Sequence, residues 1–203
     1  DENIFLVSGS GMFFKFRKND IENKNIKIYS IRSNLIDIIN YPEFYYGGKL
    51  SIKDIYIENN NVYLSYTNKV KENCYNTSVL KGKILEKKII FENFFENKQC
   101  TKNRTQAAGG RIVRLDKDKI LLTVGDYGNW KLAQNKDSIF GKIISIDERT
   151  KEFKIVSMGH RNPQGLKFIK KNNFIISTEH GPKGGDEVNL INLNDNSNKN
   201  YGW

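Results

Sequence analysis

Apolar residues along this chain fall in short runs, and where they alternate with polar ones the period is two, as in half-buried strands. Ile4–Val7, Met12–Phe16 and Ile26–Ile31 read as three strands. Ile55–Ile57 and Val62–Tyr66 form a hairpin about Glu58–Asn61, followed by Val79–Ile84 and Ile89–Phe91. A third group runs Arg111–Leu115, a turn at Asp116–Lys119, Ile120–Val124, Lys142–Ile146 and Phe153–Ser157. The last group holds Leu166–Ile169, a turn at Lys170–Asn173, Phe174–Ser177 and Val188–Ile191. Only Asn34–Ile39 has a weakly helical pattern.

The unit "strand, Asp/Asn-rich turn, strand ending in a polar loop" returns at a spacing of roughly 50 residues, the period of a propeller blade. An all-β chain of about three and a half blades follows, divided approximately as 1–50, 51–100, 101–160 and 161–203 of one partial propeller domain. A β-sandwich would give similar strands without needing the long loops between them. The chain starts at Asp1 and stops directly after Tyr201-Gly202-Trp203, which reads as a partial chain, and a signal peptide is not seen in it.

With 38% apolar and 12% aromatic residues, 203 residues suffice for a core. No run approaches the roughly 18 apolar residues that span a bilayer. The net charge of +10 invites a nucleic-acid reading, but the lysines are interleaved with acids, as in Lys117-Asp118-Lys119, and no nucleic-acid partner is expected. Cys74 and Cys100 sit in no zinc-type spacing. A disulfide between them would suit an oxidising compartment, and two buried thiols are the other reading. Asn76 and Asn103 open glycosylation triplets of little weight.

Three segments carry candidate chemistry. In Gly181-Pro182-Lys183-Gly184-Gly185-Asp186-Glu187, carbonyls turned to one side beside carboxylates offer the hard oxygens calcium prefers, or the segment is a tight turn with solvated acids. Arg161-Asn162-Pro163-Gln164 sets a fixed cation and two amides beside a stiffening proline, suited to a carboxylate or an oxyanion, or to pairing within its own loop. Asn200-Tyr201-Gly202-Trp203 is a candidate packing corner.

In order and spacing, Gly159-His160-Arg161-Asn162-Pro163-Gln164-Gly165, Glu179 to Glu187 and Asn200 to Trp203 resemble the soluble glucose and aldose-sugar dehydrogenases. These are six-bladed β-propellers holding pyrroloquinoline quinone (PQQ) and calcium. The resemblance is best over 109–203, looser over 51–100 and only general over 1–50. It implies quinone contacts from Arg161 and Asn162, and calcium held by the carbonyls of Gly181 and Pro182. It implies a further calcium site with Glu187 and the Tyr201 carbonyl. Gly125-Asp126 matches a strand end whose Asp orients the catalytic His, and Ala133-Gln134 to Gly141-Lys142 matches the stretch leading into the next strand.

The implied reaction oxidises an aldose at C1. A histidine takes the anomeric proton, the hydride passes to the calcium-polarised quinone, and arginine steadies the negative oxygen. The place of that histidine, in Thr105-Gln106-Ala107-Ala108-Gly109-Gly110-Arg111, is Ala107. Asp126 acting through a water is the substitute base, with Arg161 as its catalytic partner. His160 and His180 read as loop packing. The resemblance further implies an aldose substrate, an external electron acceptor, periplasmic or secreted location and a homodimer as an open state. The other readings are a non-catalytic, calcium-stabilised propeller that binds a ligand or protein, and a calcium-dependent lactonase, which would need a cage of carboxylates in place of the Arg161 loop.

Overall fold

The computed structural model describes residues 2–46, 50–102, 106–195 and 199–203. The first sheet begins with the meander β1 (Asn3–Val7), β2 (Phe13–Arg17) and β3 (Tyr29–Ser33). A short parallel pairing joins β3 to β7 (Lys88–Phe95), and the sheet continues through β6 (Cys74–Ile84) and β5 (Asn61–Lys71) to β4 (Ile52–Glu58). β8 (Thr101–Lys102) pairs with the start of β6. The second sheet is ordered β12 (Phe153–Met158), β11 (Lys142–Asp147), β10 (Lys119–Val124) and β9 (Gly109–Arg114). The third is the meander β13 (Pro163–Ile169), β14 (Phe174–Glu179) and β15 (Glu187–Asn192).

The innermost strands of successive sheets, β4, β9 and β13, lie side by side, so the sheets follow one another around a shared line in a partial β-propeller. Arg111 on β9 ties the three together, donating to Asp54 Oδ1 on β4 (2.7 Å) and to the Gln164 carbonyl on β13 (2.9 Å). Burial raises the Asp54 pKa against the lowering effect of the Ile112 N–H and Arg111.

The period-two pattern explains how one strand serves two cores. On β10, Ile120, Leu122 and Val124 pack toward the first sheet with Tyr63, Val79 and Phe94, while Leu121 faces Ile175 and Ile191 of the third. A separate cluster of Phe13, Leu35, Phe44, Leu64, Leu80 and Phe91 closes the first sheet.

The predicted strands form, several longer than expected, except that Ile26–Ile31 is displaced to β3 (Tyr29–Ser33), leaving 26–28 outside any strand. β5 and β6 run 11 residues each and turn at Glu72-Asn73, where Asn73 takes a left-handed φ of 55°. The helical reading of Asn34–Ile39 is the single turn α1 (Leu35–Ile38). The sequence pattern missed β8 and the short helix α2 (Trp130–Gln134). Cys74 and Cys100 form a disulfide, with Cα atoms 5.2 Å apart. Asn76 is buried and donates to the carbonyls of Asn97 and Gln99, which leaves no exposed amide for a glycan, and Asn103 lies outside the described residues. Among the described residues, no helix is long and apolar enough to cross a membrane.

Candidate functional site

Four loops meet at one end of the innermost strands: 106–108 before β9, 125–129 after β10, 159–162 before β13 and 180–186 after β14. Backbone hydrogen bonds stitch them together. Asp126 N donates to Arg161 O (2.8 Å), Tyr127 N to Ala107 O (3.1 Å), and His180 N to Asn162 O (3.2 Å). Gly125 permits this closeness, since a Cβ there would fall 1.8 Å from the Ala107 carbonyl oxygen.

The loops enclose a cavity of about 440 Å³ whose wall includes Gln106, Ala107, Asp126, Arg161, Asn162, His180 and Trp203. The fold therefore brings Ala107, Asp126, Arg161 and Asn162 around one space. Thr105, the first residue of the Ala107 motif, lies outside the described residues. Ala107 sits at φ 52°, with a methyl where the family resemblance expects an imidazole. Asp126 is buried, and both its oxygens are taken: Oδ2 accepts from Trp203 Nε1 (2.7 Å) and Oδ1 from Gly128 N (2.7 Å). Asn162 Oδ1 accepts from Gly109 N (3.1 Å), and its side chain lines the cavity with no hydrogen bond from Nδ2 among the described residues.

The three motifs are held in register by polar contacts. Gln134 and Asn200 exchange side-chain amide bonds (3.0 and 2.8 Å), and Gln134 Nε2 also donates to the Trp203 carbonyl. Lys142 is fully buried and donates to the carbonyls of Leu132, Ala133 and Phe140 at 2.7–3.0 Å. Burial pushes its pKa down to about 8. Lys142 thereby fixes the segment that carries Trp130 to the cavity wall.

Glu179 is the buried hub. It accepts from His160 Nδ1 (2.8 Å), Arg161 N (2.7 Å) and Asn189 Nδ2 (2.7 Å). Burial alone would raise its pKa, but these donors outweigh it and hold the group below the usual carboxylate range. His160 Nε2 shares a hydrogen bond with Ser157 Oγ (2.7 Å), and its ring stacks on Tyr201 at 5.1 Å. His160 is thus packing, as the sequence suggests. His180 is not: its side chain is 59% exposed, stands on the cavity wall, and has Nδ1 3.6 Å from Asp186 Oδ2. Sequence reasoning missed this placement, which depends on the turn of the β14–β15 loop.

The groups expected to hold calcium are engaged in hydrogen bonds within the protein. The Gly181 carbonyl accepts from Arg161 Nη1 (2.6 Å) and the Pro182 carbonyl from Gly185 N (2.7 Å). Glu187 Oε2 accepts from Asn189 Nδ2 (3.0 Å), and Tyr201, whose carbonyl is the expected ligand, is held by its hydroxyl, which donates to Leu190 O (2.6 Å). Among the described residues, no three His, Cys, Asp or Glu side chains cluster as a metal site. The cavity wall carries a fixed cation, Arg161, that suits an anionic ligand, while both oxygens of its carboxylate, Asp126, are engaged by donors.

Residues 23–203 match the sequence profile of the Glucose / Sorbosone dehydrogenase family. The chain belongs to this family. It is similar to aldose sugar dehydrogenase YliI of Escherichia coli K12, at 28% identity over 190 residues, which is 85% of this chain and 46% of that protein. The chain thus spans about half the length of the curated relatives it matches. In fold it is similar to the soluble aldose sugar dehydrogenase of E. coli in its apo form (TM-score 0.72, 22% identity, 98% of this chain and 58% of that one). The PQQ-bound aldose sugar dehydrogenase of Streptomyces coelicolor gives 0.62 at 18% identity, over 98% of this chain and 61% of that one.

Proposed function

We propose that this chain carries the cofactor face of a PQQ-dependent oxidoreductase that oxidises aldose sugars at C1 and passes the electrons to an external acceptor. The observation that carries this reading is the meeting of Arg161, Asn162, Trp203 and His180 around one cavity. Arg161 offers a fixed cation to a carboxylate-bearing quinone, and Asn162 Nδ2 donates beside it. The Trp203 ring, 5.3 Å from the guanidinium carbon, forms a flat wall. When bound, the quinone supplies the two-electron acceptor.

His180 is the proton acceptor in place of Ala107. Its Nε2 takes the proton of the sugar's C1 hydroxyl, and Asp186 stabilises the imidazolium that forms. Asp126, with both oxygens engaged, orients Trp203. Supporting an oxidising compartment, the periplasm or the exterior, is the Cys74–Cys100 disulfide. The second reading, a propeller that binds without turnover, is favoured by the methyl of Ala107.

The test is quenching of tryptophan fluorescence by PQQ in the full-length protein, followed by dye reduction with a panel of aldoses. Binding with turnover that falls about 10²- to 10⁴-fold in His180→Gln supports the assignment. Turnover lost in Asp126→Asn but kept in His180→Gln would give the base to Asp126. Binding without turnover favours the second reading, and no binding removes the quinone from both.

A further inference from the structure

We infer that the groove between the β1–β3 meander and the β6–β7 turn is a docking site for an acidic polysaccharide, its carboxylates held by Lys15, Arg17, Arg32, Lys87 and Lys88. The groove measures about 960 Å³ and sets those five cations against two acids, Glu2 and Glu86. Among the described residues, none of the five lies within ion-pair distance of a carboxylate. The groove shares no residue with the Arg161 cavity, so the inference stands apart from the quinone reading. Lys15 and Arg17 also precede the family match, which starts at residue 23.

The backbone gathers these charges against their own repulsion. β3 joins β7 through two residue pairs, and one of them sets Arg32 opposite Lys88. Like charges directly opposite each other across a strand pair destabilise it. Two contacts hold the turn onto the meander nonetheless: Lys15 Nζ donates to Glu86 O (3.0 Å) and Arg32 N to Lys87 O (3.2 Å). Where cations meet between other strands, an acid stands with them: Glu148 takes Lys81 and Arg114, and Asp54 takes Arg111. At the Arg32–Lys88 joint no described residue supplies such an acid, and the carboxylates of a bound chain fill that role.

Shape and lining select the anion. A concave groove takes a chain lengthwise, whereas a flat bilayer would touch only its rims. Beside the cations stand the exposed Tyr29 ring and Leu85, with Asn3 and Ser30. An acidic sugar chain uses all of these. Its carboxylates meet the arginine forks, its C–H faces cover the ring, and its hydroxyls bond to the amide and the serine hydroxyl. Single-stranded nucleic acid calls for successive aromatics under successive bases, and Tyr29 is the one aromatic lining this groove. The Cys74–Cys100 disulfide suits an oxidising compartment, where a protein meets polysaccharide rather than nucleic acid.

Fluorescence anisotropy of labelled polygalacturonate with the full-length protein tests the groove, with neutral dextran as the blank. Wild type binds the uronate chain and not dextran, and its affinity falls steeply with added salt, as binding through several ion contacts requires. The Arg17→Gln/Arg32→Gln/Lys88→Gln triple weakens binding about 30-fold. Lys87→Gln, on the turn outside the strand ladder, weakens it about threefold by itself and leaves the strand joint untouched. Lys154→Gln/Lys167→Gln/Lys171→Gln removes the same charge from exposed positions elsewhere and changes affinity about twofold at most in 0.15 M salt. Equal weakening in the two triples would reduce the effect to net charge and overturn the groove, as would no binding of polygalacturonate by wild type. Single-stranded DNA or anionic phospholipid vesicles bound more tightly than polygalacturonate, with the same loss in the groove triple, would overturn the polysaccharide as the partner.

Discussion

A single carboxylate, Glu179, takes donors from three parts of the chain: the His160 ring, the Arg161 backbone and the Asn189 amide. Because the next two residues supply the carbonyls that hold Arg161, Glu179 sets both ends of the candidate ligand wall. Glu179→Ala would leave buried donors without partners, at about 1–3 kcal/mol for each. A loss of roughly 3 kcal/mol in urea unfolding is expected, with His160→Ala less costly because Arg161 N and Asn189 keep their acceptor. The candidate residues Ala107, Asp126, Arg161 and Asn162 were legible by type and order. Their partners were not, because Trp203 and Asp126 are 77 positions apart and meet only through the fold.

At the scale of elements, Glu148 just beyond β11 fastens two sheets. Its carboxylate accepts from Tyr63 on β5 (2.7 Å), Lys81 on β6 (2.6 Å) and Arg114 on β9. Burial would raise its pKa, but Lys81, Arg114 and Tyr63 outweigh that and bring it down from 4.5 to about 2. A carboxylate depressed in the folded state contributes stability that is full above its unfolded pKa and fades as pH falls toward the folded one. The urea midpoint should therefore drop between about pH 5 and pH 2, and Glu148→Gln should flatten that part of the profile while lowering stability at neutral pH. Strands were legible here because alternation is local. The pairing of Glu148 was not, since nothing local marks one acid among many as the one that meets three donors.

For the whole molecule, the Cys74–Cys100 disulfide joins the start of β6 to the segment before β8 across 26 positions. Closing a loop of that size restricts the unfolded chain by about 3 kcal/mol. Reduction, or the Cys74→Ser/Cys100→Ser pair, should lower the melting temperature by roughly 6–12 °C for a chain of this size. The cavity should survive, because its loops are tied by backbone bonds away from the bridge. A cavity that lost ligand binding on reduction would show that the first sheet and the site unfold together.

The sequence by itself determined the strands, the all-β class and the order of the family's motifs, since period-two burial and turn residues act over a few positions. It also determined that a methyl stands at Ala107. Tertiary structure alone decided which groups face the cavity. His160 and His180 are equivalent as letters, yet one is locked between Ser157 and Glu179 while the other stands on the open wall. It likewise decided that the Gly181 carbonyl accepts from Arg161. Those outcomes rest on distances between loops that are remote in the chain, and no local pattern of side chains encodes them.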